Sequence, residues 1–196
     1  MLIFLLPIRI ISIHSYICIG VISIMNTLYI HGLDSYPVPE KMEAIRRSGL
    51  DPAALHINYR NTPDAYDMLK DEAVKEEAKF IIGSSMGGYL GFWLAEDLGL
   101  PCLLFNPAMG SVSTGLLTVP EITEMKCPAR YVVLGAYDES VDPVRNLEFM
   151  RKHNRNDMIQ RVVTCEWLGH KIDFFTFKEM VMWAVFNLKN DTKLNM

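Results

Sequence analysis

The sequence is poor in the features that settle a protein class at once. It has four cysteines in 196 residues, Cys18, Cys102, Cys127 and Cys165, with no C-x-x-C and no Cys/His pair at metal-ligand spacing. That excludes a disulfide scaffold and a zinc module. Each lies in or beside an apolar run, where a free thiol behaves as a small hydrophobe, so buried thiols in a reducing compartment are expected. Positive charge is not in excess: 19 Lys+Arg against 23 Asp+Glu leave a net charge of −4. The one dense basic stretch, residues 145–161, is diluted by Glu148, Asp157 and apolar residues. A nucleic-acid partner is therefore not expected, and a small molecule is. Internal repeats, low-complexity tracts and long linkers are also missing. Apolar residues, by contrast, are plentiful: at 50% hydrophobic and 21% charged, a chain of this length can bury the core of one domain.

Residues 1–24 differ from the rest. They are apolar at 17 of 24 positions, nine of them Ile, with Arg9 the only charged side chain. Arg9 inside the apolar run, with no preceding Lys or Arg and no small-residue cleavage site, fits a signal peptide poorly. Pro7, Arg9 and His14 interrupt what would otherwise be a membrane span. Met25 directly precedes Asn26-Thr27-Leu28-Tyr29-Ile30-His31-Gly32, the opening strand of a complete domain. The expectation is that residues 1–24 reflect an upstream start, with a membrane anchor or a cleaved signal as the other readings. The domain itself is expected over residues 25–190, followed by a frayed polar tail at 191–196.

From Leu28 onward short β-rich runs alternate with helical segments, the order of βαβ units in a mostly parallel sheet of about six strands flanked by helices. Strands are predicted at 27–31, 55–58, 80–83, 102–105, 131–135 and 161–166. Helix starts are marked by Pro39, by Thr62 as N-cap before Pro63, and by Asp142 as N-cap before Pro143. Phe177, Met180, Val181, Ala184 and Leu188 recur at helical spacing and predict a last helix docked on the sheet, fraying after Leu188.

The strongest local signal is Phe80-Ile81-Ile82-Gly83-Ser84-Ser85-Met86-Gly87-Gly88, an apolar strand running through G-x-S-x-G into a helical run. A strand that turns at once into a helix crowds its backbone. Gly83 and Gly87 would remove side chains that clash while Ser85 is lifted above the sheet in a strained conformation, the geometry of a nucleophile elbow. A serine hydroxyl is a weak nucleophile, so it needs a base within hydrogen-bond reach and a carboxylate to orient that base. His170, in Leu168-Gly169-His170-Lys171, follows the last predicted strand on a loop at the carboxyl edge of the sheet and is the candidate base. His31 is expected to brace its loop. The acid is sought after the preceding strand, where Asp138, Glu139 and Asp142 stand. Asp142 already has work as a helix cap and Glu139 is at the loop apex, so Asp138 is the candidate, with Asp142 next.

The chain order Ser85, Asp138, His170 is that of α/β-hydrolases. With it, Leu28-Tyr29-Ile30-His31-Gly32-Leu33-Asp34-Ser35, Gly83-Ser84-Ser85-Met86-Gly87-Gly88-Tyr89, Phe105-Asn106-Pro107-Ala108, Gly135-Ala136-Tyr137-Asp138 and Gly169-His170 resemble the YqiA-like (UPF0227) esterases over nearly the whole domain. The resemblance implies a small cytoplasmic serine esterase, a small-molecule ester as substrate, and no metal or organic cofactor. It also implies an oxyanion hole built from the backbone N–H groups of Met86 and Leu33. Asn106 is open between bonding the loops near the site and capping its strand.

Between Phe105 and Tyr131 the connection is too short for a lid domain. The site is therefore expected to be open, with Met109, Val112, Leu116, Leu117 and Val119 as a modest apolar wall, suited to short-acyl esters. A carboxylic ester ranks above a thioester and both above an amide. A non-catalytic binding protein on the same fold is the competing reading, because fold and function are separable.

Overall fold

A computed structural model of the chain describes residues 24–110 and 112–194. The expected upstream extension, anchor or signal at 1–24 falls, apart from Ile24, outside the described residues. Six strands form one parallel sheet in the order β2-β1-β3-β4-β5-β6: β1 Met25–Ile30, β2 Leu50–Ala53, β3 Phe80–Ser84, β4 Cys102–Phe105, β5 Ala129–Gly135 and β6 Ile159–Cys165. Among the described residues the α-helices are α1 Pro39–Arg47, α2 Ala65–Lys75, α3 Met86–Leu98, α4 Pro143–Lys152 and α5 Phe174–Leu194. No helix among the described residues is long and apolar enough to cross a membrane.

The central strands are apolar throughout because both faces of the sheet are covered, as parallel sheets require. Leu28, Ile30, Ile81, Leu104, Val132 and Leu134 face a core that includes Leu69 of α2, Leu90, Phe92 and Leu94 of α3, and Met150 of α4. Their neighbours Tyr29, Phe80, Ile82, Leu103, Phe105, Tyr131 and Val133 face the opposite core, closed by Ile45 of α1 and Phe177, Val181, Ala184 and Leu188 of α5. The period-2 alternation of a strand thus assigns each residue to one core or the other. The three described cysteines, Cys102, Cys127 and Cys165, are free and buried, as expected.

Three expectations are corrected. The second strand lies at Leu50–Ala53, not 55–58. It contains Pro52, which removes a ladder donor and is tolerated because β2 is an edge strand. Residues 55–58 form a loop whose Ile57 N–H donates to His31 Nε2 at 3.1 Å. α2 starts at Ala65 rather than at Pro63, since Thr62 Oγ1 turns back to donate to the Asn58 carbonyl at 2.9 Å instead of capping the helix. Finally, α5 continues to Leu194 and does not fray after Leu188. Asp191, expected in the polar tail, is buried: its carboxylate accepts from Tyr131 Oη at 2.9 Å and from Arg161 Nη2 at 2.6 Å. That pairing locks the end of α5 to β5 and β6.

Candidate active site

The sheet order reverses between β1 and β3: β1 leads outward to β2, whereas β3 leads the other way to β4. A crevice opens at the carboxyl ends of strands at such a switch point. Into it run the loop after β1 (His31-Gly32-Leu33) and the turn from β3 into α3 that carries Ser85. Ser85 has φ 54° and ψ −115°, a conformation disfavoured for a side-chain-bearing residue. It persists because the neighbours permit no relaxation: the Ser85 N–H donates to the Phe105 carbonyl at 2.9 Å, and its own carbonyl accepts from Tyr89 and Ala108 N–H groups at 3.0 Å. Both flanking glycines are obligatory. A Cβ on Gly83 would sit 2.3 Å from the Gly87 carbonyl oxygen, and one on Gly87 2.2 Å from that of Ile30.

Ser85, His170 and Asp138 come together from three separate strand ends. Ser85 Oγ lies 2.9 Å from His170 Nε2, and His170 Nδ1 lies 2.8 Å from Asp138 Oδ2. With Nδ1–H donating to the carboxylate, Nε2 is left as the acceptor of the serine proton. Asp138 is almost wholly buried, its side chain 1% exposed, whereas His170 is 31% exposed. Its second oxygen, Oδ1, accepts from the backbone N–H groups of Ser140 and Val141 at 2.9 and 2.8 Å. A buried carboxylate is tolerated only with such a complete set of donors. Asp142 does not reach the site: it caps α4, accepting from Val144 N–H at 2.8 Å. Glu139 is exposed. His153 is also elsewhere, stacked on Phe149 with ring centroids 4.0 Å apart.

Met86 and Leu33 line a small pocket of about 210 Å³ over Ser85, with Ala108, Val141 and His170. Among the described residues, neither backbone N–H donates to a protein acceptor. His31 is fully buried; its Nδ1 lies 2.7 Å from the Gly32 carbonyl and its Nε2 accepts from Ile57 N–H. The ring therefore holds the Gly32–Leu33 peptide by its oxygen. Because a trans peptide directs its N–H opposite to its C=O, the Leu33 N–H points away from the ring. Burial lowers the His31 pKa, an effect that the Gly32 hydrogen bond partly offsets and the nearby His56 reinforces. Tyr59 Oη donates to the His31 carbonyl at 2.9 Å, a support that no motif announced.

Asn106 does more than cap its strand. Buried at φ 39°, it donates through Nδ2 to the carbonyls of Gly169 at 2.8 Å and His170 at 3.1 Å, and accepts through Oδ1 from Gly135 N–H at 2.7 Å. One side chain thus ties the end of β5, which leads to Asp138, to the loop carrying His170. The two segments touch so closely that a Cβ on Gly135 would fall 2.5 Å from the Leu168 carbonyl oxygen.

The expected apolar wall is not where the sequence puts it. Met109, Leu117 and Val119 pack against the core beneath α3, Leu116 is exposed, and the side chain of Val112 is outside the described residues. None lines the space at Ser85, whose apolar rim comes from Leu33 and Val141. Among the described residues, the connection from β4 to β5 carries one 3₁₀ turn, at Val112–Leu116, and no separate lid.

The sheet, the sharp turn at Ser85 and the three strand-end residues define the fold of the α/β hydrolases. Residues 26–115 match the model of an uncharacterised protein family, UPF0227, so the resemblance drawn from the sequence is borne out over β1 to the segment after β4. That stretch holds Leu33, Ser85 and Asn106 and stops before Asp138 and His170. None of the curated proteins matches the chain. Among solved structures, Est1E from Butyrivibrio proteoclasticus, with ferulic acid bound, is 14% identical and superposes with a TM-score of 0.64 over 86% of this chain and 90% of its own. An alpha-beta serine hydrolase homologue from Coxiella burnetii is 16% identical, with a TM-score of 0.60 over 84% and 85%. A structure from a study of the metagenome-derived lipolytic enzymes LipS and LipT is 17% identical, with a TM-score of 0.61 over 85% and 94%. At these identities the likeness is one of fold.

Proposed function

We propose that the protein is a serine hydrolase of carboxylic esters with small or short acyl groups. The observation that carries this reading is the unbroken hydrogen-bond chain from Ser85 Oγ through His170 to a buried Asp138. In the reaction His170 Nε2 takes the hydroxyl proton as Ser85 Oγ bonds to the acyl carbon. The carbonyl electrons move onto oxygen, where the N–H groups of Met86 and Leu33 meet the charge as it develops. Collapse of this intermediate breaks the ester C–O bond, and the alkoxide leaves with the proton from His170. Water, deprotonated by the same nitrogen, then attacks the acyl-enzyme and regenerates Ser85. Asp138 holds the imidazole tautomer and stabilises the imidazolium. The strained Ser85 backbone and the uncommitted N–H groups beside it favour catalysis over a binding-only role, since strain at one residue costs about 1–3 kcal/mol and persists where function uses it. The small lidless pocket favours short acyl groups over long chains. Hydrolysis of 4-nitrophenyl acetate, butyrate and octanoate tests the reading. Turnover should favour the shorter esters and fall at least about 10³-fold in Ser85→Ala; equal turnover by the variant would refute it.

A further inference from the structure

Beside Ser85 and His170 the crevice widens into a lobe of about 680 Å³ between the β1 loop, the start of α1 and the segment leading into α5. Two lysines line it together with the serine and the histidine: Lys41, from the first turns of α1, and Lys171, next to His170. Lys41 is half-buried, its Nζ 4.9 Å from the centre of the Phe177 ring. Burial holds its pKa below the ordinary lysine value; Asp173 works against that shift and the charge of Lys171 adds to it.

Among the described residues neither lysine makes an ion pair. The carboxylates in their vicinity are committed elsewhere. Asp34, which also lines the lobe, is gripped by Arg60 through Nε at 2.8 Å and Nη2 at 2.5 Å. Asp173 accepts from the N–H of Thr176 at 2.9 Å and from its hydroxyl at 2.7 Å. With Arg60 balancing Asp34, the lining of the lobe is positive through its two lysines, a charge that Asp173, outside the lining, reduces at Lys41 but does not pair; the other walls include Tyr29, Val38 and Ile172. Two cations facing one cleft repel each other, and low-dielectric walls strengthen the attraction for an anion that enters.

We infer that this lobe is an anion subsite: the ester carries a carboxylate or phosphonate-like group a few bonds from its carbonyl, held between Lys41 and Lys171 while the carbonyl faces Ser85. The inference deepens the esterase reading and rests on it for the chemistry, though not for the binding. Two isosteric esters test it, 4-nitrophenyl hemiglutarate, whose acyl chain ends in a carboxylate, and 4-nitrophenyl pentanoate, which ends in a methyl group. The ratio of their kcat/KM values should exceed about 10 at low ionic strength, as a charge-assisted contact implies, and shrink in 0.5 M salt. In Lys41→Gln and Lys171→Gln the ratio should fall several-fold. A 4-phosphonobutanoate ester in the same assay separates phosphonate from carboxylate preference. Binding is measured independently on the full-length chain with N-butylglutaramate and the neutral N-butylpentanamide, which are not esters. Tighter binding of the anionic amide, lost when both lysines are replaced, supports the subsite even if no ester is turned over, an outcome that would refute the esterase reading alone. Equal binding of the two amides, or a kcat/KM ratio near one, overturns the subsite whatever the esterase activity.

Discussion

Replacing Asn106 should loosen the base from the acid without touching either. Its side chain makes three hydrogen bonds, to the carbonyls of Gly169 and His170 and from the N–H of Gly135. In Asn106→Ala the buried Gly135 N–H loses its acceptor, which costs about 1–3 kcal/mol, and the two loop carbonyls lose a shared donor at about 0.5–1.5 kcal/mol. Alanine must also hold φ 39°, a left-handed conformation that costs about 1 kcal/mol. Together these give a loss of about 2–5 kcal/mol, allowing for incomplete additivity. Asn106→Gly relieves the backbone but not the bonds, so it should recover about 1 kcal/mol of that loss. Asn106→Asp keeps the acceptor for Gly135 yet turns a carboxylate oxygen toward the two carbonyls, so it should be no better than alanine at neutral pH. Urea denaturation measures the stability loss, and the rate of Ser85 acylation by an activated ester, measured well below the denaturation midpoint, reports the displaced His170 loop. A loss under about 0.5 kcal/mol with an unchanged acylation rate would refute the tie between the two segments.

Three further outcomes are expected. Asp138→Asn should lower kcat by about 10⁴-fold, as in a comparable triad, while Asp142→Ala, which removes a helix cap, should cost about 1 kcal/mol of stability and leave kcat intact; kinetics and urea melts on both would expose a reversed assignment. Because burial lowers the His31 pKa, the unfolded chain binds a proton there more readily than the folded one. Its contribution to stability is full above the ordinary histidine value of ~6.5 and is lost as pH falls toward the lowered one, so denaturation between pH 7.5 and 5 should be less pH-dependent in His31→Gln than in the parent. Glu96→Ala strands the fully buried Arg130, which Glu96 pairs together with Arg155; a loss of about 3–5 kcal/mol is expected, and an exchange of both Glu96 and Arg130 for apolar residues should restore much of it in calorimetry.

The site was more legible in the sequence than the frame around it, and the reason is local. Ser85 stands in a contiguous strand–turn–helix run; Gly83 is demanded by a backbone clash with Gly87 four residues on, while Gly87 is demanded by the remote carbonyl of Ile30 at the end of β1. Asp138 could be separated from Asp142 because the latter is followed by proline, and the helix cap it makes accounts for its carboxylate. What stayed hidden depends on partners remote in the chain. β2 carries Pro52, which argues against a strand unless the strand is known to lie at an edge. The end of α5 looks like a polar tail until Asp191 meets Tyr131, 60 residues away. Arg130 in a strand and Glu96 in a helix each look like surface charges, and only their pairing, 34 residues apart, makes both buried. Met109, Leu117 and Val119 have the composition of a pocket wall, and their direction into the core is set by the path of the β4–β5 connection. Asn106 was seen at a strand end, but the carbonyls it holds lie 63 and 64 residues on.

The activated serine is tested most directly by intact-mass spectrometry after incubation with a fluorophosphonate, with Ser85→Ala alongside. A hydroxyl hydrogen-bonded to His170 at 2.9 Å should give one phosphonyl adduct per chain in the parent protein and none in the variant. No adduct on folded parent protein, or the same adduct on Ser85→Ala, would contradict a nucleophilic Ser85 and leave the fold without the chemistry assigned to it.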